Sequence, residues 1–324
     1  MNEDRFNNFK KTITHKNYGK YWSVAKDTFD VDFKNNNFIN KGSRNYYPDI
    51  YNPELSKNDL LDVNLNNNED KKIFKLGKKK LCLNKSTGNR TLIYSQYYLN
   101  DIDMYLNEND IVCEIGSGSG LFSALIHDRK KTINILIDIP EVLLTAISLI
   151  FTLLPDKKFL LPNEIEKNSS ITDINQYDFI FLTPDLIHLI EDKSVDFGIN
   201  TQSFMEMDMS EVDEYLIFLE KKIKNNGYFF CSNRVRKRHF FYDYKFNLLK
   251  NFEKVFLRKN KYHYLNPTSS SMLDFLLKKN INNNIKPIKF NIFQKFIILT
   301  KFKRKEFFRW LKKDFIKLLR KIIN

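Results

Sequence analysis

A chain of 324 residues, 42 % of them hydrophobic, can bury a full core; it has room for a sheet-and-helix domain of roughly 150–200 residues and a second module, which excludes a chain disordered throughout. The net charge of +14 is uneven: from Lys286 onward thirteen Lys and Arg face only Glu306 and Asp314, so the tail carries +11 and the rest is close to neutral. That distribution argues against a nucleic-acid partner, and three cysteines, Cys82, Cys113 and Cys231, without metal spacing point to buried thiols in a reducing compartment.

Residues 1–85 are rich in Asn, Lys, Asp and Tyr, with Trp22, Phe29, Phe33 and Phe38 as scattered anchors. Short helices and loops are expected there, in an accessory or substrate-lid region. The polar N-terminus has no secretory signal, so a cytoplasmic protein is expected. Ser86–Arg90 reads as a turn. Leu92–Leu106 has helical spacing of Leu92, Tyr94, Tyr97, Tyr98, Ile102 and Tyr105. Strands are then expected at Ile111–Ile115, Asn134–Asp138, Asp178–Thr183, Val195–Asn200 and Tyr228–Ser232. Helices are expected at Leu121–Asp128, Glu141–Leu154, Ser210–Lys224 and Phe241–Asn251. This alternation predicts a parallel, doubly wound α/β sheet. Val142–Leu154, the longest apolar stretch, is too short to span a bilayer and reads as a buried helix. Lys254–Tyr264 and Ser271–Lys278 are adjacent and strand-like. A polar break at Asn282–Pro287 separates a domain at 86–280 from a tail at 285–324.

Residues 112–120 read Val-Cys-Glu-Ile-Gly-Ser-Gly-Ser-Gly, an apolar strand ending in an acid and then glycine at every second position. Leu121–Ile126 follows, so the string lies where a strand turns into a helix whose free N–H groups can meet a nucleotide-like cofactor. The dinucleotide fingerprint needs its third glycine at 121, which is Leu121. Asp138, at the tip of the second strand, is placed to accept ribose hydroxyls in either cofactor class. Glu114, two residues before the first glycine, completes E-x-G-x-G-x-G, which resembles motif I of S-adenosylmethionine-dependent methyltransferases. An NAD or nucleotide site and a purely structural glycine turn are the competing readings.

Four segments together carry a closer resemblance: Glu-Ile-Gly-Ser-Gly-Ser-Gly (114–120), Ile-Asp-Ile-Pro-Glu (137–141), Ile-Asn-Thr-Gln-Ser-Phe-Met-Glu-Met (199–207) and Ser-Asn-Arg (232–234). They resemble the sugar O-methyltransferases of bacterial surface-polysaccharide clusters, over about residues 86–278. In that family the second strand usually ends in Asp-Leu-Pro-Glu and the fourth in Asn-x-x-Ser-Phe-x-Glu-Met; Ser117 and Ser119 depart from it, standing where Gly and an aromatic are common. The resemblance implies a Rossmann-like class I methyltransferase fold with a seven-stranded, mostly parallel sheet closed by an antiparallel pair. It implies S-adenosylmethionine held by Glu114, Gly116, Ser117, Gly118, Gly120, Asp138, Ile139 and Thr183, and methylation of a sugar hydroxyl in a capsule, lipopolysaccharide or lipid-linked glycan precursor.

Methyl transfer to a hydroxyl needs in-line geometry and a proton acceptor. Glu206, three residues after Ser203, is the first candidate base; its other reading is a capping acid for the helix near Ser210. His188, between Asp185 and Asp192, is the rival base or an exposed helix histidine. Asn200, Ser203 and Asn233 are candidates for sugar hydroxyls, although strand-end asparagines also tie down loops. Arg234, with Arg236, Lys237 and Arg238, suits a phosphate handle or forms a solvated basic loop. His127 reads as structural, and no His/Asp/Glu cluster has metal spacing. In the tail Phe307, Phe308, Leu311, Phe315, Leu318, Leu319 and Ile322 form a helical stripe opposite lysines and arginines. That pattern is expected of an anchor on the inner membrane face, or of a helix packed on this domain or another subunit. A non-catalytic module recruiting glycan-assembly partners and a methyltransferase acting on RNA or another small molecule are the alternatives to a sugar O-methyltransferase.

Overall fold

The computed structural model describes residues 3–13, 29–34, 37–41, 88–165, 171, 173–260, 272–280 and 288. Trp22, Cys82, the 282–287 break and the basic tail lie outside them.

The N-terminal part contains helix α1 (Glu3–Thr12) and a hairpin of β1 (Val31–Lys34) and β2 (Asn37–Asn40). Helix α2 (Gly88–Ile102) leads through a short 3-10 turn into β3 (Ile111–Ile115). There follow α3 (Leu121–Lys130), β4 (Ile133–Ile137), α4 (Pro140–Leu153), β5 (Phe159–Leu160), β6 (Phe179–Leu182) and β7 (Val195–Thr201). The chain ends its described part with α5 (Met209–Lys222), β8 (Ile223–Arg234), β9 (Phe252–Lys259) and β10 (Met272–Lys279).

One eight-stranded sheet runs β5-β6-β4-β3-β7-β8-β10-β9. Every neighbouring pair from β5 to β8 is parallel, while β10 lies antiparallel to both β8 and β9. This is a Rossmann-like α/β fold with a mostly parallel sheet. The chain leaves β3 for β4 and β6 on one side and returns to β7 on the other. The crevice beyond the ends of β3, β4 and β7 is therefore the topological switch point, where an open parallel sheet binds its ligand.

Strand side chains alternate between two cores, as a period of two requires. Val112, Leu136, Phe181 and Phe230 face a layer of α1, the hairpin, α2, α3 and α4. Cys113, Ile135, Ile180 and Phe229 face α5 and the 235–252 segment. Helix α4 occupies the longest apolar stretch and is buried along almost all of its length, with Pro140 at its first turn, where a missing N–H is harmless. No described helix is long and apolar enough to cross a membrane.

Three differences from expectation have identifiable causes. The sheet gains an eighth strand, β5, whose two residues are too few to show a period. The expected helix at Phe241–Asn251 does not form. Its buried residues, Phe241, Tyr242, Tyr244, Phe246 and Leu249, follow no single helical face, and the segment folds as two 3-10 turns with Phe241 and Phe246 packed on Phe275. The N-terminal part adds a hairpin to its helix: Phe33 stacks on Phe38 at 4.2 Å, and both rings meet Phe6 and the α4 residue Phe151. Lys10 clasps this hairpin at Asp30 and Asp32, 2.6 Å from each, and Arg5 reaches Glu164 beyond β5. The clasp sets Phe29 at the edge of the crevice.

Candidate active site

The glycine loop leaves β3 with Gly116 N–H on Ile137 O at 2.7 Å, so it is pinned to the end of β4. Gly116, Gly118 and Gly120 all have positive φ, a region that side chains rarely adopt. A Cβ on Gly116 would lie 1.8 Å from Ser203 Oγ, and one on Gly120 would lie 2.7 Å from Ile150 of α4. A Cβ on Gly118 would meet nothing within 4 Å. Thus Gly116 admits Ser203, Gly120 admits helix α4, and Gly118 leaves open space over the loop for a ligand.

Asp138 and Glu114 flank this loop. Asp138 Oδ2 accepts from Gly118 N–H and Oδ1 from Ile139 N–H, both at 2.8 Å. Burial pushes its carboxyl up to about 7 against those two hydrogen bonds, and the charges of Glu206 and Glu141 add to the rise. Glu114, 2 % exposed, accepts from Ser123 Oγ at 2.6 Å. Burial, assisted by Asp138, lifts it to about 8. Ser117 Oγ is buried with no hydrogen-bond partner, an unmet polar atom in the loop that a ligand can satisfy.

The loop forms one wall of a cleft of about 370 Å³. Glu114, Asp138, Glu206, Glu211 and Glu214 line it, and none of its described lining residues is Lys, Arg or His. The other walls are largely aromatic, with Phe29, Tyr94, Tyr98, Phe122 and Tyr215. Such a cavity favours a cation or a neutral molecule and opposes a pyrophosphate.

Eight residues singled out in the sequence meet here: Glu114, Gly116, Ser117, Gly118, Asp138, Ile139, Ser203 and Glu206 all line the cleft. Gly120 sits behind the loop against α4, and Thr183 is buried just before the lining residue Pro184. Glu206 N–H closes a turn on Ser203 O at 2.8 Å, and its carboxylate is ion-paired with Lys237. It does not cap α5. That helix begins after Asp208, whose N–H is taken by Glu211 at 2.8 Å.

Four residues lie elsewhere. His188 is exposed on a 3-10 turn, Pro184–Leu189, off the cleft; Asp192 pairs instead with Lys222 at 2.8 Å, because the segment lacks the α-helical spacing that would join the two. Asn200 and Asn233 are fully buried and tie strand tips together. Asn200 Nδ2 donates to Ile115 O at 2.9 Å, Asn233 Nδ2 donates to Asn200 Oδ1 at 2.8 Å, and Asn233 Oδ1 accepts from Met205 N–H at 3.2 Å. Arg234 also lies outside the cleft lining. Of its basic neighbours, Lys237 holds Glu206, Arg238 holds Asp208, and Arg236 stacks on Phe240 at 5.0 Å, so the run braces the Glu206 turn. His127 is structural, with Nδ1 2.6 Å from Thr132 O. Among the described residues no group of three His, Cys, Asp or Glu could hold a metal ion.

The walls contributed by Phe29, Tyr98 and Gln202 were not assigned from the sequence. Tyr98 appeared only as part of a helical stripe. The available signal was Gln202, inside the 199–207 motif and placed at φ 59 beside Ser203.

No protein-family model and no curated protein matches the chain. Among solved structures it is similar to a phosphoethanolamine N-methyltransferase of Haemonchus contortus, determined with phosphoethanolamine and S-adenosylhomocysteine: 14 % identity, 68 % of this chain and 50 % of that one, TM-score 0.44. It is also similar to a geranyl diphosphate methyltransferase determined with S-adenosylmethionine, at 12 % identity over 63 % of this chain and 90 % of that one, TM-score 0.41. A third is an S-adenosylmethionine-dependent methyltransferase of Methanosarcina mazei, at 18 % identity over 56 % of this chain and 98 % of that one, TM-score 0.38.

Proposed function

We propose that this chain is an S-adenosylmethionine-dependent O-methyltransferase acting on a sugar hydroxyl of a surface-glycan precursor. The observation that carries the cofactor reading is the charge of the cleft. Five acidic side chains, of which Glu206 is paired with Lys237, line the cleft beside a glycine loop open at Gly118, and no described lining residue is a cation, which suits a sulfonium and opposes the diphosphate of NAD. Asp138 would take the ribose hydroxyls, Ser117 Oγ would gain its missing partner, and Glu114 would face the positive end of the molecule. Bound there, the cofactor supplies an electrophilic methyl group.

The acceptor reading rests on the 199–207 motif and on the walls. Phe29, Tyr94 and Tyr98 line the cleft with aromatic surface suited to an uncharged ring, and Gln202 and Ser95 offer neutral hydrogen-bonding groups for hydroxyls. An RNA acceptor runs against a cleft with no described Lys or Arg. Mass spectrometry of surface glycans from cells with and without the protein tests the substrate. Loss of one methyl-sized mass from a sugar is expected; unchanged glycans overturn the sugar reading.

The basic tail, in this account, holds the enzyme at an anionic membrane. Full-length protein should sediment with phosphatidylserine-containing vesicles, less so as salt screens the charges, and a variant ending at Asn284 should stay in solution. A full-length protein that ignores such vesicles assigns the tail to protein packing.

A further inference from the structure

A row of polar side chains leads sideways from the cleft into the sheet. Thr201 of β7 is paired with Ser232 of β8, Ser232 with Asp274 of β10, and Asp274 with Arg258 of β9. At the cleft end, Gln202 Nε2 donates to Tyr98 Oη at 3.4 Å, and the Tyr98 hydroxyl lies beside Ser232. Ser232 Oγ donates to Asp274 Oδ1 at 2.6 Å, so toward Ser232 Oγ the Tyr98 hydroxyl can act only as a donor. A lone pair of Tyr98 Oη is left to accept from a further group. Asn260 Nδ2 donates to the same Asp274 oxygen at 3.0 Å, while Oδ2 is buried with no hydrogen-bond partner. A fully buried carboxylate with one oxygen unmet is costly, and packing alone does not call for it.

We propose that Tyr98, Ser232 and Asp274 form a proton relay for methyl transfer, with Tyr98 touching the acceptor hydroxyl and Asp274 receiving the proton. The inference rests on the O-methyltransferase reading. As the acceptor oxygen forms its bond to the methyl carbon, the carbon–sulfur bond of the sulfonium donor breaks and its electron pair stays on sulfur. The acceptor proton moves to Tyr98 Oη, the phenolic proton to Ser232 Oγ, and the serine proton to Asp274. Charge is balanced: a sulfonium and a carboxylate become a neutral sulfide and a neutral acid. Tyr98 and Asp274 are positioned for this by the same helix and sheet packing that seats Tyr98 between Phe122 and Phe230, each ring 5.7 Å away.

The charges around Asp274 suit the acceptor role. Tyr98 and Asp101 face it from α2, Cys231 from β8 and Arg258 from β9. Burial dominates and lifts its carboxyl to about 6, with Asp101 adding to the rise and Ser232, Asn260 and Arg258 opposing it. It is therefore ionised at neutral pH yet more basic than an exposed aspartate. Burial also holds the Tyr98 phenol well above its ordinary value, so Tyr98 passes a proton on without ionising by itself. Glu206, the acid nearest in role, has its carboxylate engaged by Lys237.

The test compares full-length wild type, Tyr98→Phe and Asp274→Asn. The probes are methyl-tritiated S-adenosylmethionine, S-adenosylhomocysteine, and the neutral surface-glycan fraction of cells lacking the protein. Both variants should bind S-adenosylhomocysteine within about threefold of wild type and keep KM for the glycan fraction, while kcat falls by about 100-fold or more. Wild-type kcat should decline below about pH 6 as Asp274 protonates, and Asp274→Asn should lose that limb. Near-normal kcat in Tyr98→Phe, or an acid limb that persists in Asp274→Asn, overturns the relay. If wild type transfers no methyl to the fraction, the sugar reading fails separately, and infrared spectroscopy of the same proteins decides the relay. A carboxylic-acid C=O band should titrate near pH 6, shift in Tyr98→Phe and vanish in Asp274→Asn. A missing band, or one unmoved in Tyr98→Phe, overturns it even if Asp274→Asn fails to fold.

Discussion

Gly116→Ala should abolish measurable binding of S-adenosylhomocysteine, a loss of about 100-fold or more, and should lower thermal stability as well. The new Cβ would lie 1.8 Å from Ser203 Oγ and 2.3 Å from Ser203 Cβ, with φ at +69°. Overpacking costs about 1–3 kcal/mol and the left-handed backbone about 1–2 kcal/mol more. Neither strain can relax cheaply, because Gly116 N–H is pinned to Ile137 O and Asn200 ties the Ser203 turn to Ile115. The double variant Gly116→Ala/Ser203→Gly removes the clashing atoms and leaves only the φ strain. It should recover part of both the affinity and the melting temperature in calorimetry and thermal unfolding. An alanine at 116 that binds like wild type would mean that the loop is not a cofactor cradle.

Affinity for S-adenosylmethionine should rise from pH 6 through about pH 8 and level off above it. Burial holds Asp138 at about 7 and Glu114 at about 8, so both are largely protonated at the acid end of that range. A bound cation favours their ionised forms, hence binding releases protons and strengthens as pH rises, by up to about tenfold per unit for each group. S-adenosylhomocysteine lacks the sulfonium charge and should show a shallower rise. The two groups act oppositely on the ligand-free fold. Their raised values mean that the folded state holds extra protons between about pH 4 and pH 8, so their contribution to stability declines through that window. Asp138→Ala should weaken binding by about 1.5–3 kcal/mol and flatten the pH dependence. Calorimetry in buffers of different ionisation enthalpy reads the affinity and the released protons together.

Local features were legible in the sequence because their causes are local. Strand β3 falls at Ile111–Ile115 as its apolar run predicts, and α4 and α5 lie within two residues of their expected bounds. The glycine loop, its flanking acids and the Ser203–Glu206 turn are each contiguous in the chain, and the switch-point rule brings their tips together. What the sequence hid depends on partners far along the chain. The hairpin at Val31–Asn40 has strands of only four residues and forms because Phe6 and Phe151 cover it. Tyr98, Ser232 and Asp274 come from α2, β8 and β10, and only sheet order makes them neighbours. His188 is the converse case: the α-helical spacing that would set it beside Asp185 and Asp192 does not form where Pro184 opens a 3-10 turn, which leaves the histidine exposed. Asn200 and Asn233 were equally plausible as ligand-binding or loop-tying groups, and full burial puts them with the loops.

Isothermal titration of the full-length protein at pH 8 with S-adenosylmethionine and, separately, with NADH tests the central claim most directly. An anionic cleft over an open glycine loop should bind the sulfonium at one site per chain and give only heats of dilution with the dinucleotide. Saturable binding of NADH, with none for S-adenosylmethionine, would contradict it.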